Sequence, residues 1–378
     1  MTNPTITFAG GPIFDGETLL KGHAARFVDG VLIAIVPEAE LTSNEAIEDL
    51  SGEILSPGYV DLQVNGGGGV MFNDDPSVET LQRIAAAHRQ LGATSILPTL
   101  ITDTPEKTTA AISAATQAIQ HGVQGIVGLH LEGPHLSVQR KGAHDGALIR
   151  PLENADLEQL LAAANALPAL MVTLAPESVT IAQVQTLAKA GVIVSLGHSD
   201  APFETCVAYV QAGAHCATHL FNAMSQLGNR EPGLVGAVLS SNAMSAGLIA
   251  DAIHVHPETM RAAFAAKQGP GRLFLVSDAM AVAGTELSEF MLEGRIIQRE
   301  NGRLTLQDGT LAGADLDLTT AVRVLTMEVG IALPDALAAA TSLPASLISR
   351  NKASRLGPIT QAIRISPDLS NAHPVQTT

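Results

Sequence analysis

From Pro57 onward the chain repeats one pattern. A short apolar run is followed by a turn and an amphipathic stretch, at intervals of roughly 25–35 residues. The apolar runs are 58–65, 94–100, 126–132, 169–174, 192–198, 214–219, 245–251 and 272–278. Helical stretches at 77–91, 105–121, 152–166, 181–190, 203–212 and 257–266 lie between them and carry Pro or Ser/Thr/Asp start cues. Strand, helix, strand repeated about eight times predicts an α/β chain closed into a (β/α)8 TIM-type barrel. In that fold the chemistry sits at the carboxyl ends of the strands.

Four of the runs end there on a residue able to do chemistry. The third ends at Glu132, because Gly133-Pro134 cannot continue a ladder. The fifth ends at His198, the sixth at His219 and the eighth at Asp278. One carboxylate and two imidazoles are a hydrolytic zinc set that leaves a position for water. Fe(II), Mn(II) and Co(II) accept the same N and O donors. Such an ion pulls the pKa of water from about 15.7 towards about 7, so a carboxylate can take its proton. Asp278 is placed to do that and to return the proton to a departing amine. Read singly, each residue is a helix cap or an ion-pair partner. Together, at the same end of four strands, they predict a metal centre with an acid/base beside it.

Composition narrows the partners. Asp plus Glu outnumber Lys plus Arg by 37 to 21, a formal charge of −16. This disfavours nucleic acid and anionic membrane surfaces, and an anionic substrate needs a local positive pocket. The only cysteines, Cys206 and Cys216, form no CxxC and no disulfide framework. With no basic-apolar leader in Met1-Thr-Asn-Pro-Thr5 and no apolar run of about 20 residues, a cytoplasmic protein is expected.

The ends of the chain follow a different pattern. Residues 5–9, 24–28 and 31–36 read as strands, with a hairpin signal at Asp29-Gly30. We divide the chain into a small β domain (1–56), the barrel (57–345) and a tail (346–378) that returns to that domain to complete a β-sandwich. After Asp278 a hairpin at Asn301-Gly302 lies at the catalytic end and is placed to cover the pocket. Residues 314–329 and 335–347 read as helices.

Several stretches also carry a resemblance. Gly128-Leu-His-Leu-Glu-Gly-Pro-His135, Gly197-His-Ser199, Thr218-His-Leu-Phe-Asn-Ala-Met224 and Val276-Ser-Asp-Ala279 resemble the N-acetylglucosamine-6-phosphate deacetylase family of the amidohydrolase superfamily, over about 57–344. The resemblance implies deacetylation of N-acetyl-D-glucosamine 6-phosphate to glucosamine 6-phosphate and acetate. It gives metal binding to Glu132, His198 and His219, and the acid/base role to Asp278. It gives carbonyl polarisation to His144, in Lys141-Gly-Ala-His-Asp-Gly146. It gives contact with a sugar phosphate to Asn222, Ala223, Arg230 and His254. It also implies a homodimer in which Arg230 completes the neighbouring site. Related enzymes with two ions carry His-x-His on the first strand and a carbamylated Lys on the fourth. Here Gln63 and Asn65 replace the former, and 170–176 has no Lys, so one tightly held ion is expected.

The alternatives are another single-metal amidohydrolase, such as a nucleobase deaminase or cyclic amidase, and a non-catalytic scaffold. The intact Glu132, His198, His219 and Asp278 weigh against the scaffold. Three decoys are set aside. His256 precedes Pro257 and reads as a surface residue. His215 and His219, four apart on a strand, are about 13 Å from each other and cannot share an ion. Gly66 to Gly69 lack the Gly-Lys-Ser/Thr of a P-loop and read as backbone approaching the pocket.

Overall fold

A computed structural model describes residues 5–349 and 355–376. Met1 to Pro4, read above for a leader, and parts of the tail lie outside the described residues. Eight parallel strands run in sequential order: Tyr59–Val64, Ala93–Ile101, Leu129–Glu132, Leu170–Leu174, Ile193–Leu196, Cys216–Ala217, Ser245–Leu248 and Leu273–Leu275. Every strand residue is buried except Ser95, as a sheet walled by helices on its outside requires. The first strand meets the last through Asp278 N–H to Gln63 C=O (3.0 Å) and Asn65 N–H to Ala279 C=O (2.9 Å), which closes the barrel.

The helices form where the sequence cues place them. Val78–Gln90 is capped by Ser77, Pro105–Gln120 by Thr104 and Ile181–Lys189 by Thr180, each side chain accepting a first-turn backbone N–H. Differences cluster late in the chain. Gly233–Ser240 is a helix between the sixth and seventh strands that the sequence reading did not assign. The helix expected from 314 starts at Leu318, capped by Asp317, because Leu311–Ala314 is a strand. The one expected over 335–347 is two, Leu333–Ala340 and Ser342–Ile348, broken where Thr341 leaves helical dihedrals (φ −129°, ψ −84°).

Two further sheets make the β module. Thr5–Ala9, His23–Val28, Val31–Pro37 and Ile47–Asp49 form one. Ile13–Phe14, Leu19–Leu20 and Ile54–Pro57 join the tail strands Ala362–Ile365 and Ala372–Pro374 in the other. Phe8, Phe27, Leu50, Leu55, Ile359 and Ala362 share the core between them. The tail therefore supplies two strands: Ala362–Ile365 runs antiparallel to Ile54–Pro57, the segment that leads into the barrel.

The excursion after Asp278 is a four-stranded antiparallel sheet, Glu289–Leu292, Arg295–Glu300, Arg303–Thr305 and Leu311–Ala314. Asn301 and Gly302 both adopt positive φ, as a tight hairpin requires. Phe290, Leu292, Ile297, Leu304 and Ala312 pack on Met71, Ile101, Met280 and Val282, and Ala314 N–H bonds Asp278 C=O. The sheet is thus fixed to the barrel rim. Gly66 to Gly69 do not reach the pocket. Gly66, Gly68 and Gly69 bond Ala279, Ala283 and Ala281, and a Cβ on Gly66 would meet the Ala281 nitrogen at 2.8 Å.

Candidate metal centre and its cavity

The ladders stop earlier than the apolar runs, at Leu196, Ala217 and Leu275. His198 (φ 47°), His219 (φ 29°) and Asp278 (φ 51°) then adopt the left-handed region. Non-glycine residues hold it at a cost of order 1–3 kcal/mol each, which surrounding structure must offset. The extended backbone ends, and these side chains meet Glu132 at the barrel mouth.

There they converge. Glu132 Oε1 lies 3.2 Å from His198 Nε2 and 3.1 Å from His219 Nε2, and the two nitrogens are 3.1 Å apart. Glu132, His198 and His219 are 2, 4 and 5% exposed. Among the described residues this is the one such cluster of three or more candidate ligand donors. Tetrahedral zinc with bonds of about 2.0–2.1 Å puts its ligands about 3.3 Å apart, so the triangle fits one small dication. The His198 tautomer is set from outside: Nδ1–H donates to Arg140 C=O (2.8 Å), leaving the Nε2 lone pair for the centre. Nδ1 of His219 has no partner among the described residues. Burial pushes Glu132 up, but the two imidazoles outweigh it and hold the carboxyl well below its usual range. Burial lowers His219, and the Glu132 carboxylate more than reverses that. Both shifts favour a carboxylate facing positive charge.

Asp278 stands beside the triangle. Its Oδ1 accepts from Asn65 Nδ2 (2.7 Å) and Gln63 Nε2 (3.1 Å). Gln63 also donates to both oxygens of Glu132, at 3.3 and 3.2 Å. The two amides at the former His-x-His positions thus tie the carboxylates together. With Oδ1 accepting twice, Oδ2 is, among the described residues, the oxygen left free. Burial, then the nearby Glu132 charge, raises Asp278 to about 6, a value suited to moving protons near neutrality.

His144 joins from the long loop. Its ring centroid is 4.4 Å from that of His198. Nδ1 accepts the Thr102 backbone N–H (3.3 Å) and meets Thr102 Oγ1 at 2.8 Å, so the proton is on Nε2. Burial, then His198, lowers its pKa to about 3, which keeps the ring neutral. His254 Nδ1 contacts Asp251 Oδ2 (2.6 Å).

Glu132, His198, His219, Asp278, His144 and His254, with Asn65, Asn222 and Ala223, line a cavity of about 550 Å3; Gln63 is buried and outside the lining. Leu292, Thr310, Leu311 and Gly313, from the added sheet and its last turn, line the cavity, whereas the strands flanking Asn301-Gly302, expected to cover the pocket, do not. Arg230 is not brought in. It is exposed and absent from the lining. His256 is exposed and caps Pro257–Ala266, and His215 bonds Gly213 C=O, as decoys should.

The sequence reading missed four supports: Thr102, the Arg140 carbonyl, Asp251 and Asp61. Asp61 accepts the Ser277 backbone N–H at 3.2 Å and so holds the strand end that carries Asp278. Asp61 and Gln63 on one buried strand, and Asn65 directly after it, alternate, a period-two signal that was there to be used.

A family model described as the amidohydrolase family matches residues 54–363. The chain belongs to the amidohydrolase family. Like its relatives it is a hydrolase built on a (β/α)8 barrel. N-acetylgalactosamine-6-phosphate deacetylase of Shewanella sp. (strain ANA-3) is 42% identical over 90% of this chain and 86% of its own length. N-acetylglucosamine-6-phosphate deacetylase of Haemophilus influenzae is 37% identical over 89% and 88%. The crystal structure of N-acetylglucosamine-6-phosphate deacetylase from Pasteurella multocida superposes on this amidohydrolase with a TM-score of 0.90. It is 33% identical and the match covers 98% of this chain and 97% of that one.

Proposed function

We propose that this amidohydrolase removes the acetyl group of N-acetyl-D-glucosamine 6-phosphate, giving D-glucosamine 6-phosphate and acetate. The observation that carries the reading is the Glu132–His198–His219 triangle with the free Oδ2 of Asp278 beside it. The names of the relatives, at 42 and 37% identity, support the substrate class. The N-acetylgalactosamine 6-phosphate relative has the higher identity of the two, which favours the C4 epimer as a second substrate to be assayed.

Glu132, His198 and His219 hold one divalent ion in this reading, zinc first by donor type. Bound there, the ion supplies a Lewis acid and an acidic water. Asp278 Oδ2 would accept the proton of the water that adds to the acetyl carbonyl and return it to the departing nitrogen. Neutral His144 donates Nε2–H to the carbonyl oxygen as negative charge develops on it. Asn222, Ala223 and His254, which line the same cavity, hold the sugar phosphate. Arg230, outside its own cavity, completes a neighbouring site in a homodimer. The protein works in the cytoplasm as residues 57–345 of barrel, with 1–56 and 346–378 as the β domain.

The test is acetate release from phosphorylated and unphosphorylated N-acetylhexosamines, with metal content measured on the same sample. Release from the 6-phosphates at one ion per chain supports the reading. Absence of acetate release from either epimer's 6-phosphate in metal-replete protein removes it.

A further inference from the structure

An anionic group entering this cavity meets unfavourable electrostatics. The chain carries −16, and the floor presents Glu132 and Asp278. Arg230 lies outside. Among the described residues one lysine or arginine lines the cavity, and it is Arg140.

Arg140 has two separate roles for its backbone and its side chain. The carbonyl holds His198 Nδ1. The guanidinium, about a third exposed, bonds Asp200 Oδ1 through Nε (2.8 Å) and Nη2 (2.6 Å). Two of five N–H groups are used, which leaves the Nη1 side of the planar fork for a ligand. Asp200 is itself fixed, its backbone N–H bonding Glu177 Oε1 at 2.7 Å. Its neighbour Ser199 bonds Ala223 C=O through its backbone N–H (3.2 Å). The anchor of the guanidinium therefore follows directly in sequence a residue tied to the Asn222-Ala223 turn.

We propose that Arg140, which lines the same cavity as Asn222 and Ala223, is a phosphate-binding residue of this site, its guanidinium held in place by Asp200. The proposal rests on the sugar-phosphate reading above and adds to it a cation from the same chain. A guanidinium matches the geometry of a phosphoryl group and stays charged at any working pH. Asp200 keeps it extended between turnovers, and its partly exposed position costs little to open.

The experiment compares kcat and KM for an N-acetylhexosamine 6-phosphate and its unphosphorylated form in wild type, Arg140→Ala, Arg140→Lys and Asp200→Asn, with metal content matched. Loss of a charge-assisted contact is worth about tenfold to a hundredfold. Arg140→Ala is expected to raise KM for the phosphorylated substrate by that amount and to shrink the wild-type preference for it equally. Arg140→Lys recovers part of the preference, and Asp200→Asn alters KM more than kcat. If Arg140→Ala lowers kcat/KM for both substrates alike, or for neither, the residue does not bind phosphate. If wild type itself shows no preference for the phosphorylated substrate, the sugar-phosphate reading falls and this proposal with it.

Discussion

Nε2 of His198 and Nε2 of His219 face each other at 3.1 Å, with Glu132 Oε1 completing the triangle. His198 has committed its other nitrogen to the Arg140 carbonyl, so its Nε2 brings a lone pair, not a proton. Three electron-rich atoms this close need positive charge among them. A proton on His219 serves one edge of the triangle; a dication serves all three. Chelation is therefore expected to lower the melting temperature, and one equivalent of zinc to restore it, since an ion bound only by the folded state stabilises by mass action. Calorimetry with metal analysis checks this. Two stoichiometric ions, or a melting temperature indifferent to chelation, overturns it.

Asp278 keeps Oδ1 on two amide donors and leaves Oδ2 free. Asp278→Asn keeps the size of the side chain but cannot carry the proton. The variant is expected to hold its ion and lose turnover by about two to four orders of magnitude. Steady-state acetate release beside metal content decides it. A near-normal rate removes the acid/base role.

His130 is buried beneath the site, Nδ1 on Leu62 C=O (3.0 Å) and Nε2 on Thr173 Oγ1 (2.7 Å). Burial lowers its pKa to about 4. An unfolded histidine titrates near about 6.5. Between those values the unfolded chain binds a proton that the folded chain refuses, so stability falls as pH falls through this window, by up to about 3 kcal/mol. Above about 6.5 the group contributes no slope. Urea midpoints at pH 7.5 and 5 are expected to separate less in His130→Gln than in wild type. Equal separations refute the assignment.

The barrel was legible because strands buried on both faces leave mostly apolar runs, and each of the eight read in the sequence forms a strand. Glu132 could be placed because Gly133-Pro134 marks where its ladder must end. Gly233–Ser240 was missed since six of its eight residues are buried, so it shows no polar face for a helical period to reveal. The break at Thr341 depends on tertiary packing, which propensity does not report. In the site, residues at or just past the strand ends were found, whereas the groups that hold them were not. Thr102 and the Arg140 carbonyl act across long loops, and a backbone carbonyl has no sequence signature. Arg230 shows the reverse limit: the motif around it is legible, but nothing in this chain alone brings it to the cavity.

The added sheet also reaches the chemistry from below its hairpin tip. Arg295 Nη2 donates to Ala143 C=O (2.8 Å) and pairs with Glu293 Oε2 (2.9 Å). Ala143 is the residue before His144, whose ring is otherwise held through Nδ1 by Thr102. Removing the guanidinium frees one side of that loop, and small misplacements of a polarising group are costly. Arg295→Ala is expected to lower kcat about tenfold at unchanged metal content, with Arg295→Lys recovering part of it. A double-mutant cycle separates positioning from general damage. If Arg295 acts through His144, adding Arg295→Ala to His144→Ala costs nothing further. An additive loss in the double variant shows that the sheet serves the site by another route.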